Sequence, residues 1–402
     1  MMKNLRKNKS GISLIVLVIT IIVMIILAAA IILSLSNSGI ISKANKAKTD
    51  SDTANLKEYV NTLRAEWELM TEAERTESGA ATFEDYANKK LEKSGYNGAV
   101  GADGEVYSNL NENAMAAIKA GIKVGDVVTR YTVAANTYET SGEENTGRYI
   151  DDGVYAYVES DPQPQTVASN TEVTWKYLGI NASGEMEIMA DLSTTTGVAA
   201  NTKITLGGKG GYLKGPGMLN TVCKKLYSKD GVGTARSMNI DDVNNLLGYT
   251  PTYTYTYNSS TITSITPLTI ATLESKLGIK FDGSKTTTPD GKDRGTYYSN
   301  YYQINKTDDV KEMKKPGNIE LVYNAQNTYW LASSSCFYES SGYNRVHFGV
   351  RMVYRDYVNV VSTFSSIGAS SDNYTYALRP VVTLNSNVKL TPNADKTEWV
   401  IS

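Results

Sequence analysis

The sequence predicts an α+β protein, with a long N-terminal transmembrane α-helix followed by a β-rich head. Three observations predict this fold class. Residues 12–35 form an apolar run without a charged side chain, and apolar residues recur every three or four positions between 56 and 70. From residue 123 onward, short runs of strand-forming residues alternate with turn residues. Helices and strands therefore occupy separate parts of the chain, which is typical of α+β proteins.

Composition excludes several classes of function. The 402 residues carry a formal net charge of −2, and Lys3, Arg6, Lys7 and Lys9 all lie ahead of the apolar run. The remaining chain is acidic, so we predict no nucleic-acid partner. His347 is the single histidine, and two cysteines alone cannot form a zinc or iron–sulfur site. We therefore predict no metal and no cofactor.

The N-terminal helix is predicted to have two halves. At about 1.5 Å per residue, residues 12–35 reach about 36 Å, which is enough to cross a bilayer. An apolar stripe from Leu56 to Met70 then follows one face of a polar helix, and Gly79 is expected to end it. The predicted domains are a leader over 1–11, a transmembrane and amphipathic helix over 12–78, a small mixed connecting region over 79–120 and a head over 121–402.

The start of the apolar run carries a family resemblance. The basic leader ends in Ser10-Gly11, and Ile12 opens the apolar run at once. This resembles the processing site of type IV prepilins, in which a prepilin peptidase cuts after the Gly and methylates the new N-terminus. The resemblance implies that Gly11 precedes the cut and that Ile12 is the mature N-terminal residue. Val16 departs from the pattern, because pilins usually have Glu there, although minor and pseudopilin-like subunits can lack it.

The pilin resemblance implies partners and a location. The prepilin peptidase would process the leader, other pilin subunits would contact the N-terminal helix, and the membrane would hold residues 12–35. The protein would lie in the cytoplasmic membrane before assembly, and then at the cell surface or in an extracellular filament of a bacterium. Two alternatives for this segment are a plain signal anchor and a cleaved secretory signal. The length of the run and the lack of an A-x-A site argue against the second.

Periodicity and turn residues predict the elements of the head. Asn239 precedes Asp241 and Asp242, which suits a helix N-terminus, and Pro216 is expected in the first turn of another helix. Predicted helices cover 83–91, 114–120, 216–226 and 239–247, and predicted strands cover 124–133, 154–158, 172–179 and 185–189, ahead of a final β-rich block over 319–401.

Four short strings in the head carry a second resemblance. They read WKYLGINASG (175–184), GTARSMNIDD (233–242), YWLAS (329–333) and ALRPVV (377–382). In this order they resemble C-type-lectin-like modules, of the branch shared by formylglycine-generating enzymes and the variable target proteins of diversity-generating retroelements. The resemblance covers residues 121–402 and implies a C-type-lectin-like ligand-binding domain, whose displayed region spans about 329–380.

The composition of residues 329–376 independently favours a binding surface. The segment holds seven Tyr, ten Ser and three Arg, and no Lys. Tyr gives broad amphipathic contact with little loss of rotamer entropy, Ser adapts, and Arg joins Tyr at interaction hot spots. The alternative is that Tyr and Ser only line exposed strands and loops.

The alternation of apolar residues along 346–353 predicts which side chains pack in the core and which face solvent. Val350 and Met352 would face the core, whereas His347 and Arg351 would face solvent. Tyr343, Arg345, Tyr354, Arg355 and Tyr357 are expected to act as anchors in and around one turn. Resemblance to the retroelement targets implies a ligand-binding set of Phe337, Tyr338, Tyr343, Asn344, Arg345, His347, Tyr354, Arg355, Tyr357, Ser370, Ser371, Asp372, Asn373 and Tyr374.

Catalytic chemistry is not evident in the sequence. Cys223 and Cys336 suggest a disulfide or two buried thiols rather than a catalytic pair, because a catalytic Cys normally needs a base. The acidic pairs lack calcium-loop spacing. We therefore predict a non-enzyme: a cell-surface, pilin-like protein whose C-type-lectin-like head binds an unknown protein or glycan and is open to diversification by a retroelement. The alternatives are a structural minor pilin or pseudopilin without ligand binding, and a relative of the formylglycine-generating enzymes.

Overall fold

A computed structural model describes most of the chain. The described residues are 24, 40–145, 148–150, 156–158, 161–193, 202–251, 254–257, 260–263, 280–282, 285–287, 293–296, 303–339, 345–365 and 373–402, with the backbone alone at 40–46, 148–150, 156–158, 209, 254–296, 336–339, 345–348, 362, 364 and 365. The chain divides into two compact units, Met1–Asn97 and Gly98–Ser402.

The first unit is helical where it is described. Its helices are α1 (Ile40–Leu69), α2 (Glu72–Glu77) and α3 (Phe83–Ser94). Leu56 and Leu63 of α1 are buried, as are Phe83 and Leu91 of α3. The predicted helix over 83–91 is thus confirmed, because Thr82 caps it and its apolar residues share one face.

The predicted fold class is wrong in its first element. Within the described ranges, no helix is both long enough and apolar enough to cross a bilayer. Helix α1 is polar, with Lys, Asp and Glu along its length. The apolar run over 12–35 lies outside the described residues apart from Met24, as do the leader, Gly11 and Ile12. The α+β character itself is confirmed by the sheets of the second unit.

A second correction concerns the end of the N-terminal helix, which was expected at Gly79. Helix α1 ends at Leu69, and Thr71 starts α2 through a capping box, in which its hydroxyl accepts from the Glu74 backbone N–H and the Glu74 carboxylate accepts from the Thr71 N–H. The T-x-x-E pattern that produces this box is readable in the sequence. Gly79 follows α2 with a φ of +67°.

The second unit contains two large sheets. The strands of sheet I are β3 (Val127–Thr129), β8 (Trp175–Ile180), β9 (Met186–Ala190), β11 (Gly233–Ser237), β22 (Pro380–Leu384), β23 (Leu390–Pro392) and β24 (Glu398–Ile401). Those of sheet II are β10 (Lys203–Leu206), β17 (Ile304–Asn305), β18 (Tyr329–Glu339), β19 (Arg345–Tyr354), β20 (Tyr357–Ser365) and β21 (Tyr374–Ala377). Sheet I has the strand order β11-β22-β9-β8-β3-β24-β23, and sheet II has the order β10-β21-β18-β19-β20-β17.

Smaller elements complete the described part of this unit. The helices are α4 (Glu112–Ala120), α5 (Gly208–Tyr227), α6 (Ile240–Leu247) and α7 (Ile319–Tyr323), with 3-10 turns at Val310–Glu312 and Pro316–Asn318. The short strands are β1 (Gly98–Val100), β2 (Val106–Ser108), β4 (Thr137–Glu139), β5 (Arg148–Ile150), β6 (Ala156–Val158), β7 (Thr166–Ala168), β12 (Thr254–Tyr257), β13 (Ser260–Thr263), β14 (Lys280–Asp282), β15 (Lys285–Thr287) and β16 (Asp293–Thr296).

One hydrophobic core joins the two large sheets. Trp175, Trp330 and Trp399 are among its largest fully buried side chains. Ala99 and Ile118 belong to the same core, so part of the region predicted as a connector packs within the second unit. Helix α5 lies against strands of both sheets. Helix α6 packs on β18, and α7 packs on β19. Consecutive residues are buried over 329–331 and 333–335 of β18 and over 349–353 of β19, so both faces of these strands are covered there.

Helix α5 begins earlier than expected. The predicted start was Pro216, but the helix runs from Gly208 and holds Pro216 in its interior. Tyr212 and Leu213 ahead of the proline are buried, so packing of this turn outweighs the weak helix propensity of its glycines. Helices α4 and α6 confirm the predictions over 114–120 and 239–247.

Candidate ligand-binding surface

Seven of the predicted ligand-binding residues that the structure describes lie on the β18–β19 and β19–β20 hairpins of sheet II, where they fall into two groups. Register pairs Glu339 with Arg345 at one end of the β18–β19 hairpin, and it pairs Tyr354 with Tyr357 at the far end of β19. Nine residue steps along β19 separate Arg345 from Tyr354, which is about 30 Å in an extended strand. The expectation that the five anchors gather around one turn is therefore wrong.

At the Arg345 end, the structure describes the backbone only. Phe337 pairs with His347 across β18 and β19, next to the pairing of Tyr338 with Val346. Two further predicted residues of this group, Tyr343 and Asn344, lie outside the described residues. The same holds for Ser370, Ser371 and Asp372, which precede β21 in the sequence.

The other end presents an exposed aromatic turn. Tyr354 and Tyr357 are 40% and 42% exposed, which places them among the most exposed large apolar side chains described. The guanidinium carbon of Arg355 lies 5.1 Å from the centroid of the Tyr354 ring, within cation–π range. Arg355 has a φ of +49°, in the left-handed region, so the turn is held by its surroundings rather than by local preference. The Lys306 backbone N–H donates to the Asp356 carbonyl at 2.8 Å and ties this turn to β17.

Two further tyrosines extend this surface. Tyr374 and Tyr376 project from one face of β21, with ring centroids 6.1 Å apart. Tyr329 of β18 pairs with Val353 on one side and with Ala377 on the other, so Tyr354 and Tyr376, each next to one of these partners, lie near the same end of β18. Burial, with a smaller contribution from Tyr354, raises the pKa of Tyr376 above its usual range. We call Tyr354, Arg355, Tyr357, Tyr374 and Tyr376 the tyrosine patch. Tyr376 was not among the predicted residues, although its i+2 spacing from Tyr374 in a strand puts both on one face.

Asn373 lies next to the tyrosine patch but faces another neighbour. It is exposed, and its side-chain oxygen occupies the space beside the Cα of Gly207, where a Cβ would come within 1.9 Å of it. A side chain at position 207 would therefore displace Asn373. Gly207 is the N-cap residue of α5, so this contact connects the start of β21 to the start of that helix.

A buried scaffold supports the tyrosine patch. Tyr376 packs on Trp330 with a centroid distance of 4.6 Å, and the Trp330 indole N–H donates to the Ile204 carbonyl at 2.9 Å. Beside it, Arg379 donates to the Tyr329 hydroxyl at 2.8 Å and to the carbonyls of Ala190 and Leu321. The expectation that Tyr329-Trp330 and Arg379-Pro380 lie in the core is confirmed.

Arg351 corrects the prediction from alternation. It was expected to face solvent, yet it is 1% exposed and donates to the Ser335 hydroxyl at 3.4 Å. Strand β18 bulges between Trp330 and Ser334, opposite Arg351, and α7 packs on β19. Alternation distinguishes inside from outside only when one face of a strand is open, and here both are covered.

Of the two alternatives expected for Cys223 and Cys336, a disulfide or two buried thiols, the structure agrees with a buried thiol at Cys223. Cys223 is a free thiol on α5 and is fully buried. Burial raises the pKa of the Cys223 thiol to about 12, while Ser237 and Arg236 oppose the shift weakly. Its high pKa leaves it protonated and chemically inert at neutral pH. The side chain of Cys336 lies outside the described residues.

Sequence reasoning missed a polar cleft on the second unit, which we call the Arg236 cleft. Arg236 donates to both Asp242 carboxylate oxygens at 2.6 and 2.8 Å and to Glu187 at 3.0 Å. Burial opposes the charge on Arg236, but these two carboxylates outweigh it and raise the pKa of Arg236. The three residues line a cleft of about 800 Å³. The string GTARSMNIDD could have indicated the ion pair of this cleft. Arg236 lies in a strand and Asp242, six residues later, lies in the first turn of the next helix.

Within the described ranges, no group of three or more His, Cys, Asp or Glu side chains could hold a metal ion.

Comparisons with protein-family models, with curated proteins and with solved structures find no match to this chain. The arrangement of side chains is therefore the basis for assigning function.

Proposed function

We propose that this chain is a ligand-binding protein and that the tyrosine patch is its contact surface for a protein or glycan outside the cell. The observation that carries the proposal is the exposed pair Tyr354 and Tyr357, together with Arg355, whose guanidinium lies over the Tyr354 ring. Aromatic and Arg side chains on a rigid base contribute most of the energy at interfaces. The fully buried Trp330, on which Tyr376 packs, provides this base.

The resemblances in the sequence support the same proposal. The order of the four strings suggests a C-type-lectin-like binding module, with residues 329–380 as its displayed region. The Ser10-Gly11-Ile12 site suggests export through a prepilin peptidase, which would put the head on the bacterial surface. We propose that the peptidase cuts after Gly11. Mass spectrometry of the mature protein should then find methylated Ile12 at its N-terminus, and an intact Met1 would contradict the export route.

Binding to intact cells tests the proposed contact surface. The labelled full chain would be titrated against a panel of bacterial and animal cells by flow cytometry, before and after protease or periodate treatment of the cells. We expect Tyr354→Ala/Tyr357→Ala to lose binding by about tenfold or more, since two hot-spot tyrosines are removed.

Tyr96→Ala is the matched control, because Tyr96 is 38% exposed and lies in the other unit. Loss of binding on protease treatment would assign a protein ligand, and loss on periodate treatment a glycan. Equal binding by the double variant and the parent, or binding of the parent to no cell in the panel, would contradict the proposal.

A further inference from the structure

The Arg236 cleft has the size and lining of a second binding site, separate from the tyrosine patch. Its volume of about 800 Å³ falls within the range of small-ligand pockets, roughly 300–1,000 Å³. Residues from β2, β8, β9, β11, α6 and the segment before α7 form its walls. Because these elements belong to the core of one unit, the cleft is part of the folded scaffold rather than a gap between loops.

Ion pairs within the cleft form its rigid wall. Arg236 joins Glu187 and Asp242, and Thr383 also donates to Glu187 at 2.8 Å. Asp242 accepts the Asn239 backbone N–H as well, so its oxygens are satisfied. These charges are therefore committed to the protein. The two carboxylates exceed the single guanidinium, which leaves this wall with an excess negative charge.

Three other charges of the cleft are not paired with an opposite charge among the described residues. Lys123 and Lys314 lie on different segments, and both are exposed. Asp103 makes no ion pair among the described residues, but it accepts hydrogen bonds from the Tyr107 hydroxyl at 2.7 Å and from the Glu105 N–H at 3.1 Å. By contrast, Lys315 pairs with Glu105 at 3.3 Å. The cleft thus offers two positive groups and one negative group to a ligand that carries both charges.

Amide and apolar groups lie between these charges. Asn245 makes no side-chain hydrogen bond in the part of the chain that the structure describes, and Asn318 uses one amide N–H on the Leu246 carbonyl. Leu178 and Ile180 of β8 also line the cleft. A side-chain amide can both donate to and accept from a peptide group, and the apolar residues can cover a hydrocarbon side chain.

Strand β8, which supplies Leu178 and Ile180 to the cleft, also carries a buried polar group, the Tyr177 hydroxyl. Tyr177 is 1% exposed, and its hydroxyl has no hydrogen-bond partner among the described residues. Tyr177 itself does not line the cleft, and burial, with smaller contributions from Asp103 and Glu187, raises the pKa of its phenol. Buried polar atoms without a partner are uncommon in folded proteins, because each one loses its hydration without gaining a hydrogen bond.

We propose that the Arg236 cleft binds a short peptide by its free termini. Lys123 and Lys314 bind the terminal carboxylate, Asp103 binds the terminal ammonium, and Asn245 and Asn318 bind peptide groups between them. A peptide of about three residues suits the cleft volume of about 800 Å³, because a tripeptide is a ligand of drug size.

Pooled tripeptide libraries test this proposal with the full chain. One library has free termini, a second is N-acetylated, and a third is C-amidated. Each would be equilibrated by dialysis at a total of about 1 mM against the protein, and retained peptides quantified by mass spectrometry. We expect the parent to retain the free library about tenfold or more over either blocked library, because a hydrogen-bonded charge is lost in each.

Variants assign each terminus. In the variant Lys123→Gln/Lys314→Gln, amidation of the peptide should no longer reduce retention. In Asp103→Asn, N-acetylation of the peptide should no longer reduce retention. In each case the protein variant and the peptide modification remove the same interaction, so their effects do not add. Lys311→Gln, an exposed lysine outside the cleft lining, is the control and should behave as the parent. Retention of no tripeptide by the parent, equal retention of free and blocked libraries, or an equal effect of the control would overturn the proposal.

Discussion

The Ser334 hydroxyl donates a 3.0 Å hydrogen bond to the carbonyl of Tyr212. In an uninterrupted helix this carbonyl would accept the backbone N–H of residue 216. That residue is Pro216, which has no N–H, so the middle of α5 lacks one hydrogen bond. A side chain of β18 supplies the missing donor. The contact explains how α5 continues through a proline.

Removing this hydroxyl should destabilise the head, and more so when the proline is present. We expect Ser334→Ala to lower the free energy of unfolding by about 1–2 kcal/mol, because it leaves the Tyr212 carbonyl with fewer donors. In a Pro216→Ala background the helix supplies its own N–H, so the same change should cost less. Urea unfolding of the four proteins measures the coupling. Additive costs would show that the Ser334 contact does not replace the helical hydrogen bond.

Truncating the scaffold and truncating the tyrosine patch should affect stability differently. Trp330 is fully buried, so Trp330→Ala is expected to cost about 3–5 kcal/mol. Tyr354→Ala and Tyr357→Ala should each stay within about 0.5 kcal/mol of the parent, because both residues belong to the exposed class and lie outside the core. Denaturant midpoints at constant m-value provide the comparison. A tyrosine variant that unfolds as early as the Trp330 variant would mean that the patch is a packing element.

Replacing Tyr177 by Phe should not destabilise the protein. Its hydroxyl is buried without a partner in the described structure, so Tyr177→Phe removes a desolvation cost and should raise stability by up to about 1 kcal/mol. Tyr131→Phe is the matched control: the Tyr131 hydroxyl donates to the Tyr227 carbonyl at 2.6 Å, and its loss should cost about 1 kcal/mol. Thermal unfolding would rank the three proteins. A clear loss in Tyr177→Phe would show that a buried water holds this hydroxyl.

Alkaline pH should reveal the buried thiol. The pKa of Cys223 is raised to about 12 from an ordinary value of 9.0, so above about pH 9 the unfolded chain loses this proton while the folded chain keeps it. The stabilising contribution is complete below pH 9 and is lost as pH rises toward 12, by at most about 1.4 kcal/mol per pH unit. The slope of unfolding free energy between pH 9 and 10 should therefore be shallower in Cys223→Ala than in the parent. Identical slopes would contradict burial of the thiol.

Local signals in the sequence were sufficient where an element is stabilised by its own residues. Asn239 and Asp242 form a capping box, with distances of 3.0 and 2.8 Å, and the helix that follows ends at Gly248 with a φ of +60°. Cap, acidic first turn and C-terminal glycine all act within one or two turns, so they can be read from neighbouring letters. The core positions of Trp330 and Arg379 were likewise predictable, because apolar strand runs surround them.

Two features were decided only by the tertiary structure. Arg351 is buried because a bulge in β18 and a helix on the other face enclose it, and neither is encoded next to it. The predicted anchors Arg345 and Tyr354 are separated because strand register, which depends on pairing partners, puts them at opposite ends of β19. The sequence by itself thus determined caps, helix faces and the buried aromatic residues, which depend on short-range spacing. Which side chains share a surface depended on long-range pairing and on layers that cover both faces of a strand, and these form only when distant segments of the chain pack together.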